Sequence, residues 1–594
     1  MSSFQPYLIA DFRQGLLLDR EPWLLPPQAF SRLKNAYLQN GVLKKRLGYQ
    51  LWHKFPHAVN DEEIGSSGAT NYTGTLAHKP IQPKSVSFTD GTQTLTDDGN
   101  GNLTGDGSGT IDYDTGAYDI TFNSSTSGDV TCDYQYYPGL PIMGIYNYYA
   151  STGSYQLLAF DTKRMARYDP LQDRLIDVCG ADTWTGGESD YFWTEIALDK
   201  MYITNNVDRV MAWDGSSLTT PVFDIDGDSN NDVDCCLLMF YYKGHMVLLR
   251  TTENGTLHAQ RARWSKANMP EDFTNDGYVD APTLDWIMGA DFIGEDLVVW
   301  FERSVWILKY TNDPDLPFRW EQVVSTDGCY STFSVVPFSD EILALGPTTI
   351  YGTDGIDVYS IDKKIPDFVL NINPQKFNYV YSAVIEENRQ VLMLYPAAGY
   401  DRNNMMLVLN YDDNAWSTFE LPGTVIGYYE QQSDFTWDDI EYSWDEIEWA
   451  WDDKELQAGY PTTLMGTYDG EIVQLNTGGS DAGDPIELDI QTGWLNPFIK
   501  EGKQARLGWV DLLVRRDPDI SLQVEFYVDN MTSPYATQTV TFDDGTDKEK
   551  VWIRAYAGGR GDVHKIRLYH NASGQTAEIH AIVPYFKAEG RIYG

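Results

Sequence analysis

An acidic stretch near the middle of the chain has the residue types that bind a hard metal cation. Between residues 224 and 234 oxygen-bearing side chains occupy alternate positions, and the candidate ligands are Asp224, Asp226, Asp228, Asn230 and Asp232. Carboxylate and amide oxygens at this spacing wrap around calcium in Asp-rich loops. An EF-hand loop would require Gly at Ser229 and Glu at Cys235. The pattern therefore predicts another kind of calcium loop, and a solvated acidic loop between two strands is the alternative.

Motifs for catalysis are missing from the sequence. The chain contains only eight His residues, and no G-x-S-x-G elbow, H-E-x-x-H pair or Gly-rich phosphate loop occurs. Two carboxylates can act as acid and base in glycoside hydrolysis. With 87 Asp and Glu residues, however, the presence of carboxylates says little about catalysis. We predict a protein without enzymatic activity and name no catalytic residue.

Three consecutive cations, Lys44, Lys45 and Arg46, stand out in a chain whose formal net charge is −44. We predict that they dock on an acidic neighbouring subunit or adaptor. The overall acidity argues against a surface that grips nucleic acid, because phosphate binding needs clustered Lys and Arg. The acidity is compatible with DNA as a passing cargo, since an acidic wall lets a duplex slide without adhering. Solubility is an equally good explanation of the charge.

The cysteines and the N-terminus bear on the cellular compartment. Five Cys residues without C-x-x-C spacing indicate neither a disulfide framework nor a zinc site, and they fit a reducing cytoplasm. The N-terminus lacks a basic region followed by an apolar core, and no apolar run approaches the roughly 20 residues needed to span a bilayer. We expect no membrane embedding.

The elements that position these residues are predicted to be strands. Aromatic residues reach 14%, Gly contributes 50 residues, and long helical patterns are nearly absent, which is typical of all-β proteins. From residue 139 to 484 the chain repeats an apolar strand, a turn and another apolar strand in units of roughly 35 to 50 residues, the length of a propeller blade. We predict a β-propeller of six or seven irregular blades. A pair of ordinary β-sandwiches is the alternative.

Smaller segments flank the predicted propeller. Residues 64–138 are rich in Gly, Thr and Asp with frequent Asp-Gly turns, and they predict an inserted Ig-like β-sandwich. Residues 485–594 alternate apolar and polar positions and predict a C-terminal β-sandwich. Residues 1–63 form an N-terminal arm with the first strands. In this arm Phe30, Leu33 and Tyr37 have helical spacing, which predicts a short amphipathic helix over residues 29–37.

A Trp repeat lies within residues 437–453, WDDIEYSWDEIEWAWDD. Trp437, Trp444 and Trp451 are seven residues apart. As a helix the segment would present a stripe of Trp and Ile with acids outside, and as hairpins it would stack the Trp rings in a ladder. The segment is too short for a coiled coil, so we favour a local aromatic staple or a subunit contact.

The segment from Asp11 to Tyr49 resembles the opening of the tail nozzle proteins of short-tailed phages, also called tail tubular protein B. The shared order is D-x-x-x-G, a Pro-rich stop, a short helix with Asn, and then G-x-L-K-K-R-x-G-Y. Further similar pieces are RARWSKANMPEDF, TGWLNPFIKEGKQARLGWVDLLVR and WIRAYAGGRGDVHKIRLYH. The insert, through GTIDYDTGAYDITF, resembles Ig-like modules of phage structural proteins.

The resemblance implies a late structural protein of a virion, made in the host cytoplasm and located in the viral tail below its adaptor ring. It implies a homohexameric ring around a channel that is closed in the mature particle and conducts double-stranded DNA during viral genome ejection. The implied partners are further copies, the tail adaptor protein, tail fibres and DNA in transit without tight binding. From the residues alone, a carbohydrate-binding or carbohydrate-cleaving propeller is the alternative, with Trp and Tyr rings stacking on sugars.

Overall fold

The computed structural model describes residues 3–153, 155–274, 277–324, 326–430 and 461–592. These residues form strands joined by turns, and the predicted all-β class is confirmed. The described helices are single 3₁₀ turns: Pro22–Leu24, Thr332–Ser334, Phe368–Asn371, Phe377–Tyr379 and Ile499–Glu501. Within the described ranges, no helix has the length and apolar character to cross a bilayer.

Six consecutive four-stranded antiparallel meanders form propeller blades, as the strand-and-turn repeat predicts. The strands of blades 1 to 3 are Ile142–Tyr149, Tyr155–Asp161, Met165–Asp169, Arg174–Asp177; Trp193–Ala197, Lys200–Thr204, Met211–Trp213, Leu218–Thr219; and Val233–Tyr242, His245–Glu253, Thr256–Trp264, Tyr278–Asp280. Those of blades 4 to 6 are Ile287–Ile293, Asp296–Phe301, Val305–Tyr310, Phe318–Val324; Val336–Phe338, Glu341–Leu345, Ile350–Thr353, Val358–Ser360; and Tyr381–Ile385, Gln390–Tyr395, Met405–Asn410, Ala415–Glu420.

A further sheet, here called the closing blade, lies between blade 6 and blade 1. Its strands are Ile426–Tyr429, Thr462–Gly466, Glu471–Thr477 and, from the N-terminal region, Gly48–Lys54, with the short strands Ser480–Asp481 and Asp484–Pro485 at its edge. The first strand of the closing blade contacts the first strands of both neighbouring blades. Because an N-terminal strand completes this sheet, pairing between distant parts of the chain closes the propeller.

Two large sheets enclose a second core beside the propeller. The terminal sheet contains Lys550–Gly561, Lys503–Arg515, Glu578–Arg591, Val42–Lys45 and Ala36–Gln39 in that order, with Gln5–Pro6 and Ile9–Ala10 paired to Glu578–Arg591. The bridging sheet continues blade 6 through Ala29–Lys34, Leu488–Thr492, His564–His570, Asp517–Val528 and Ala536–Phe542, and Gly15–Leu16 pairs with Ala29–Lys34. Leu507, Leu512, Leu522 and Phe526 are fully buried in one core together with residues of blade 6.

The predicted helix over residues 29–37 is wrong, because two strands, Ala29–Lys34 and Ala36–Gln39, occupy this segment. A β-bulge between Phe30 and Arg32 allows Phe30 and Leu33 to face the core together. Their spacing of three therefore imitates the periodicity of a helix. Asn35, with φ of 54°, separates the two strands.

The inserted domain is a sandwich-like sheet of eight antiparallel strands that packs on its own core of Phe88, Leu95, Ile120 and neighbours. Its hydrogen bonding is continuous through one sheet, and it begins at His57, ahead of the predicted boundary at residue 64. The strands are His57–Gly65, Asn71–Thr75, Ser87–Thr89, Thr94–Asp97, Asn102–Gly105, Gly107–Ile111, Ala117–Phe122 and Val130–Tyr136.

Candidate functional site

The acidic loop joins blade 2 to blade 3, and four of its five predicted metal ligands converge. One carboxylate oxygen from each of Asp224, Asp226, Asp228 and Asp232 lies within 4.8 Å of the others. Asp226 and Asp228 are exposed, whereas Asp232 is buried. The fifth predicted ligand, Asn230, donates its side-chain N–H to Asp228 over 2.6 Å. The loop thus gathers the oxygen atoms that a hard cation prefers.

Backbone hydrogen bonds set the shape of this loop. The carboxylate of Asp224 accepts the backbone N–H groups of Gly227 at 2.6 Å and Ser229 at 2.7 Å. The buried Asp232 accepts the backbone N–H of Ile225, and this bond lowers the pKa of its carboxyl group. These donors offset part of the repulsion between four close carboxylates. A divalent cation would offset the rest, and calcium binding stays a prediction.

Two acidic residues that the sequence analysis did not single out, Glu195 and Asp291, lie on the innermost strands of blades 2 and 4. Burial raises the pKa of Glu195 to about 7, and the negative charge of Asp291 adds to this shift. Burial also raises the pKa of Asp291 to about 6. Both carboxyl groups therefore exchange protons near neutral pH, a property of acid and base groups. Their only signal in the sequence is a single acid inside each of the strands WTEIA and MGADFI.

Aromatic rings fill the centre of the propeller. Phe333, just before blade 5, stacks on Tyr381 of blade 6 at 5.7 Å, and Tyr191, just before blade 2, contacts both rings. Trp193 of blade 2 donates its indole N–H to the carbonyl of Met239 in blade 3 over 2.7 Å. Side chains from opposite sides of the ring thus meet on the axis. At this level the centre of one propeller is packed.

The prediction that Lys44, Lys45 and Arg46 form an exposed docking patch is wrong for two of them. Lys45 is buried, its amino group lies 3.1 Å from Nδ1 of His570, and burial lowers its pKa to about 8. Arg46 is also buried and pairs with Asp481. Lys44 alone is partly exposed, with Nζ 3.5 Å from the Glu578 carboxylate. The strand Val42–Lys45 turns alternate side chains inward, so consecutive cations cannot share one surface.

The piece RARWSKANMPEDF belongs to blade 3, and its arginines form a buried charge cluster. Arg263 binds both carboxylate oxygens of Glu253 at 2.8 and 2.9 Å, and Arg261 binds the same carboxylate at 3.0 Å. Arg261 also forms a bidentate pair with Asp280, and its guanidinium carbon lies 3.6 Å from the ring centroid of Tyr278. Two arginines of this sequence piece therefore have structural partners within the blade.

The Trp437, Trp444 and Trp451 repeat lies outside the described residues. The interpretation of this repeat as a staple or subunit contact stays a prediction.

Comparisons with known proteins do not assign this chain to a family. No family model matches the chain, and no curated protein matches it. Among solved structures, the extracellular domain of a hybrid two-component system from B. thetaiotaomicron is 10% identical with a TM-score of 0.29, covering 61% of this chain and 41% of that one. An exo-β-1,3-galactanase from Phanerochaete chrysosporium, solved with β-1,3-galactotriose, is 9% identical with a TM-score of 0.24, covering 68% of this chain and 97% of that one. The chain spans less than half the length of the first structure, and similarities this low support no argument about function.

Proposed function

We propose that this chain is a structural subunit of a virion tail, a nozzle whose copies form a ring that conducts double-stranded DNA during ejection. The supporting observation is the path of the N-terminal segment, which also contains the first phage-like pattern. Its strands lie in the terminal sheet, in the bridging sheet and in the closing blade. One segment thereby joins the propeller to the terminal sheets as a continuous body, which suits a wall that must resist moving DNA.

The DNA path of this proposal lies between copies. Because aromatic rings meet on the axis of the propeller, the described residues of one copy leave no duplex-sized channel at that level. A ring of copies, hexameric by the resemblance, would supply the channel. Each copy has a net charge of −44, so a wall built from this chain would repel phosphate and let the duplex slide.

A DNA retention assay tests the conduit. Purified protein at micromolar concentration should not retain labelled duplex on a filter at about 150 mM salt, because the net charge of −44 repels phosphate. Binding of duplex with micromolar or tighter affinity at this salt concentration would contradict the proposal.

A carbohydrate-cleaving propeller is the second candidate, and the raised pKa values of Glu195 and Asp291 favour it. In this function one carboxyl group would protonate the leaving oxygen while the other acts as base or nucleophile. The test is hydrolysis of glycans by wild type, Glu195→Gln and Asp291→Asn, with the exposed Glu295→Gln as control. Activity that both core variants abolish and the control retains would replace the nozzle proposal. A wild type without activity on a broad glycan panel would eliminate this candidate.

A further inference from the structure

The outer face of the terminal sheet differs in charge from the rest of this acidic chain. In the strand Lys550–Gly561, Val551, Ile553 and Ala555 point into the core, and the residues between them point to solvent. The strands Lys503–Arg515 and Glu578–Arg591 alternate in the same way apart from their bulges. We call the solvent-facing residues of these three strands the outer face.

Cations outnumber carboxylates on the outer face. Its charged residues include the cations Arg506, Arg515, Lys550, Arg554, Arg560 and Lys587 and the carboxylates Asp511, Glu578 and Glu589, with the exposed Lys503 and Arg591 at the strand ends. Lys44, on the adjacent strand, extends the cationic end next to Glu578. The excess of positive charge stands against a net charge of −44 for the whole chain. An acidic partner is therefore complementary to this face.

The same face exposes large aromatic side chains. Trp552 is 52% exposed and Tyr556 is 61% exposed. Beside them Trp509 stacks on Tyr585 at 4.7 Å, and the guanidinium of Arg554 lies 5.0 Å from the Trp509 ring centroid. Aromatic and Arg side chains of this kind are the residues that dominate binding energy at protein interfaces. The partner should therefore offer apolar rings together with its acids.

Residues 434–453 of the sequence have this composition. The segment contains nine acidic residues, no Lys or Arg, and six aromatic residues, four of which are Trp. Groups of acids separate the Trp residues of the segment, and along the strand Lys550–Gly561 cations alternate with aromatic rings on the outer face. Among the residues of this chain, the segment is therefore a complement in both charge and apolar character.

We propose that the outer face binds the segment 434–453 of a second copy of this chain. This inference rests on the proposed ring, because a face and a complement on different parts of one chain give a head-to-tail contact, and such contacts form a ring when the rotation between copies closes. Mutual attraction of the two charge patterns sets the register of neighbouring copies, and the Trp side chains bury apolar area against Trp552 and Trp509.

Zero-length crosslinking tests the contact in the full-length protein. A carbodiimide couples an amino group to a carboxylate that touches it, so Lys550 or Lys44 should become linked to an Asp or Glu within residues 434–453. Mixing unlabelled and nitrogen-15-labelled chains before coupling shows whether the two linked peptides come from one copy or from two copies. We expect linked peptides of mixed isotope composition, which form only between copies.

Matched variants show whether the crosslinks between copies depend on the outer face. Arg515→Glu and Trp552→Ala should each reduce the mixed-isotope product at least about fivefold, as expected for interface anchors. The controls are Arg319→Glu in blade 4, where the side chain is 64% exposed against 65% for Arg515, and Trp23→Ala, where Trp23 is 56% exposed. Both controls should leave the product unchanged.

Several outcomes would overturn the inference. If rings form but the segment is never linked to the outer face, or only within one copy, this contact is wrong while the nozzle proposal stands. If micrographs show no rings, either for the protein alone or after mixing with the adaptor ring of a phage tail, the nozzle proposal fails independently of the crosslinks. If the wild type instead binds a single-stranded DNA probe and Arg515→Glu abolishes this binding without any crosslink to the segment, the face binds nucleic acid.

Discussion

Arg46 and Asp481 form a bidentate salt bridge, with Nη1–Oδ1 at 2.7 Å and Nη2–Oδ2 at 2.5 Å, although 435 positions separate them. The same guanidinium donates to the carbonyl of Glu420 in blade 6 at 3.0 Å and to Oδ1 of Asn35 at 2.9 Å. One side chain thus joins the N-terminal segment, blade 6 and the edge of the closing blade.

Replacing Arg46 with Met should lower the free energy of unfolding by about 3–5 kcal/mol, because the partner charge of Asp481 would lose its compensation. Urea unfolding of the purified protein measures the change. Arg20→Met is the control, since it breaks only the exposed pair with Asp19 and should cost less than about 1 kcal/mol. Equal losses in both variants would show that the Arg46 bridge does not hold the sheets together.

Glu195→Gln should stabilise the protein at alkaline pH. The folded pKa of Glu195 is raised to about 7 from 4.5, so the unfolded chain releases this proton at lower pH than the folded chain. The wild type therefore loses stability as pH rises from about 4.5 to about 7. Wild type and variant should have equal melting temperatures at pH 4. At pH 8 the variant should have the higher melting temperature, and its free energy of unfolding should exceed that of the wild type by about 1–3 kcal/mol, after allowance for solvent screening. A variant that is less stable than the wild type at pH 8 would contradict a raised pKa of the partly buried Glu195 carboxyl group.

The sequence predicts the features that depend on neighbouring residues. The repeat of strand, turn and strand indicates the blades, because each blade is a local meander. The four convergent Asp residues of the acidic loop are likewise foreseeable, since they lie within nine consecutive positions.

Structural features that depend on contacts between residues far apart in the sequence could not be predicted from the sequence. The strand Gly48–Lys54 completes the closing blade by pairing with Glu471–Thr477. No local sequence pattern predicts this pairing. Burial of Lys45 and Arg46 depends on His570 and Asp481, so the sequence suggested an exposed basic patch instead. At residues 29–37 a bulge gave core residues a helical spacing.

Deleting the insert, residues 57–136, should leave the remaining chain folded. The insert has its own core, and a limited set of hydrogen bonds joins it to blade 1. They include His57 Nε2 with Asp161 at 2.6 Å, the Gln82 side chain donating to the carbonyl of Leu175, and bonds of Asp177, Arg164 and Arg174 to Ala58, Lys84 and Gln135. The deletion variant should stay soluble and melt cooperatively at a moderately lower temperature. Aggregation of the variant would place the insert strands in the main core.

Calcium should raise the melting temperature, because binding to the folded loop stabilises it by mass action. The expected pattern is a lower melting temperature in chelator and recovery with excess calcium, but not with excess sodium. Asp224→Asn and Asp228→Asn should remove the response, whereas Asp354→Asn in a blade 5 turn should keep it. A wild-type melt that is identical in chelator and calcium would identify the acidic stretch as a solvated loop.

Electron microscopy of the purified full-length protein is the decisive test of the nozzle function. A nozzle should form closed rings of identical copies around an opening wide enough for a DNA duplex, with the propellers arranged in the wall. Particles that remain single propellers at micromolar concentration, and also fail to form rings when mixed with the adaptor ring of a phage tail, would contradict it.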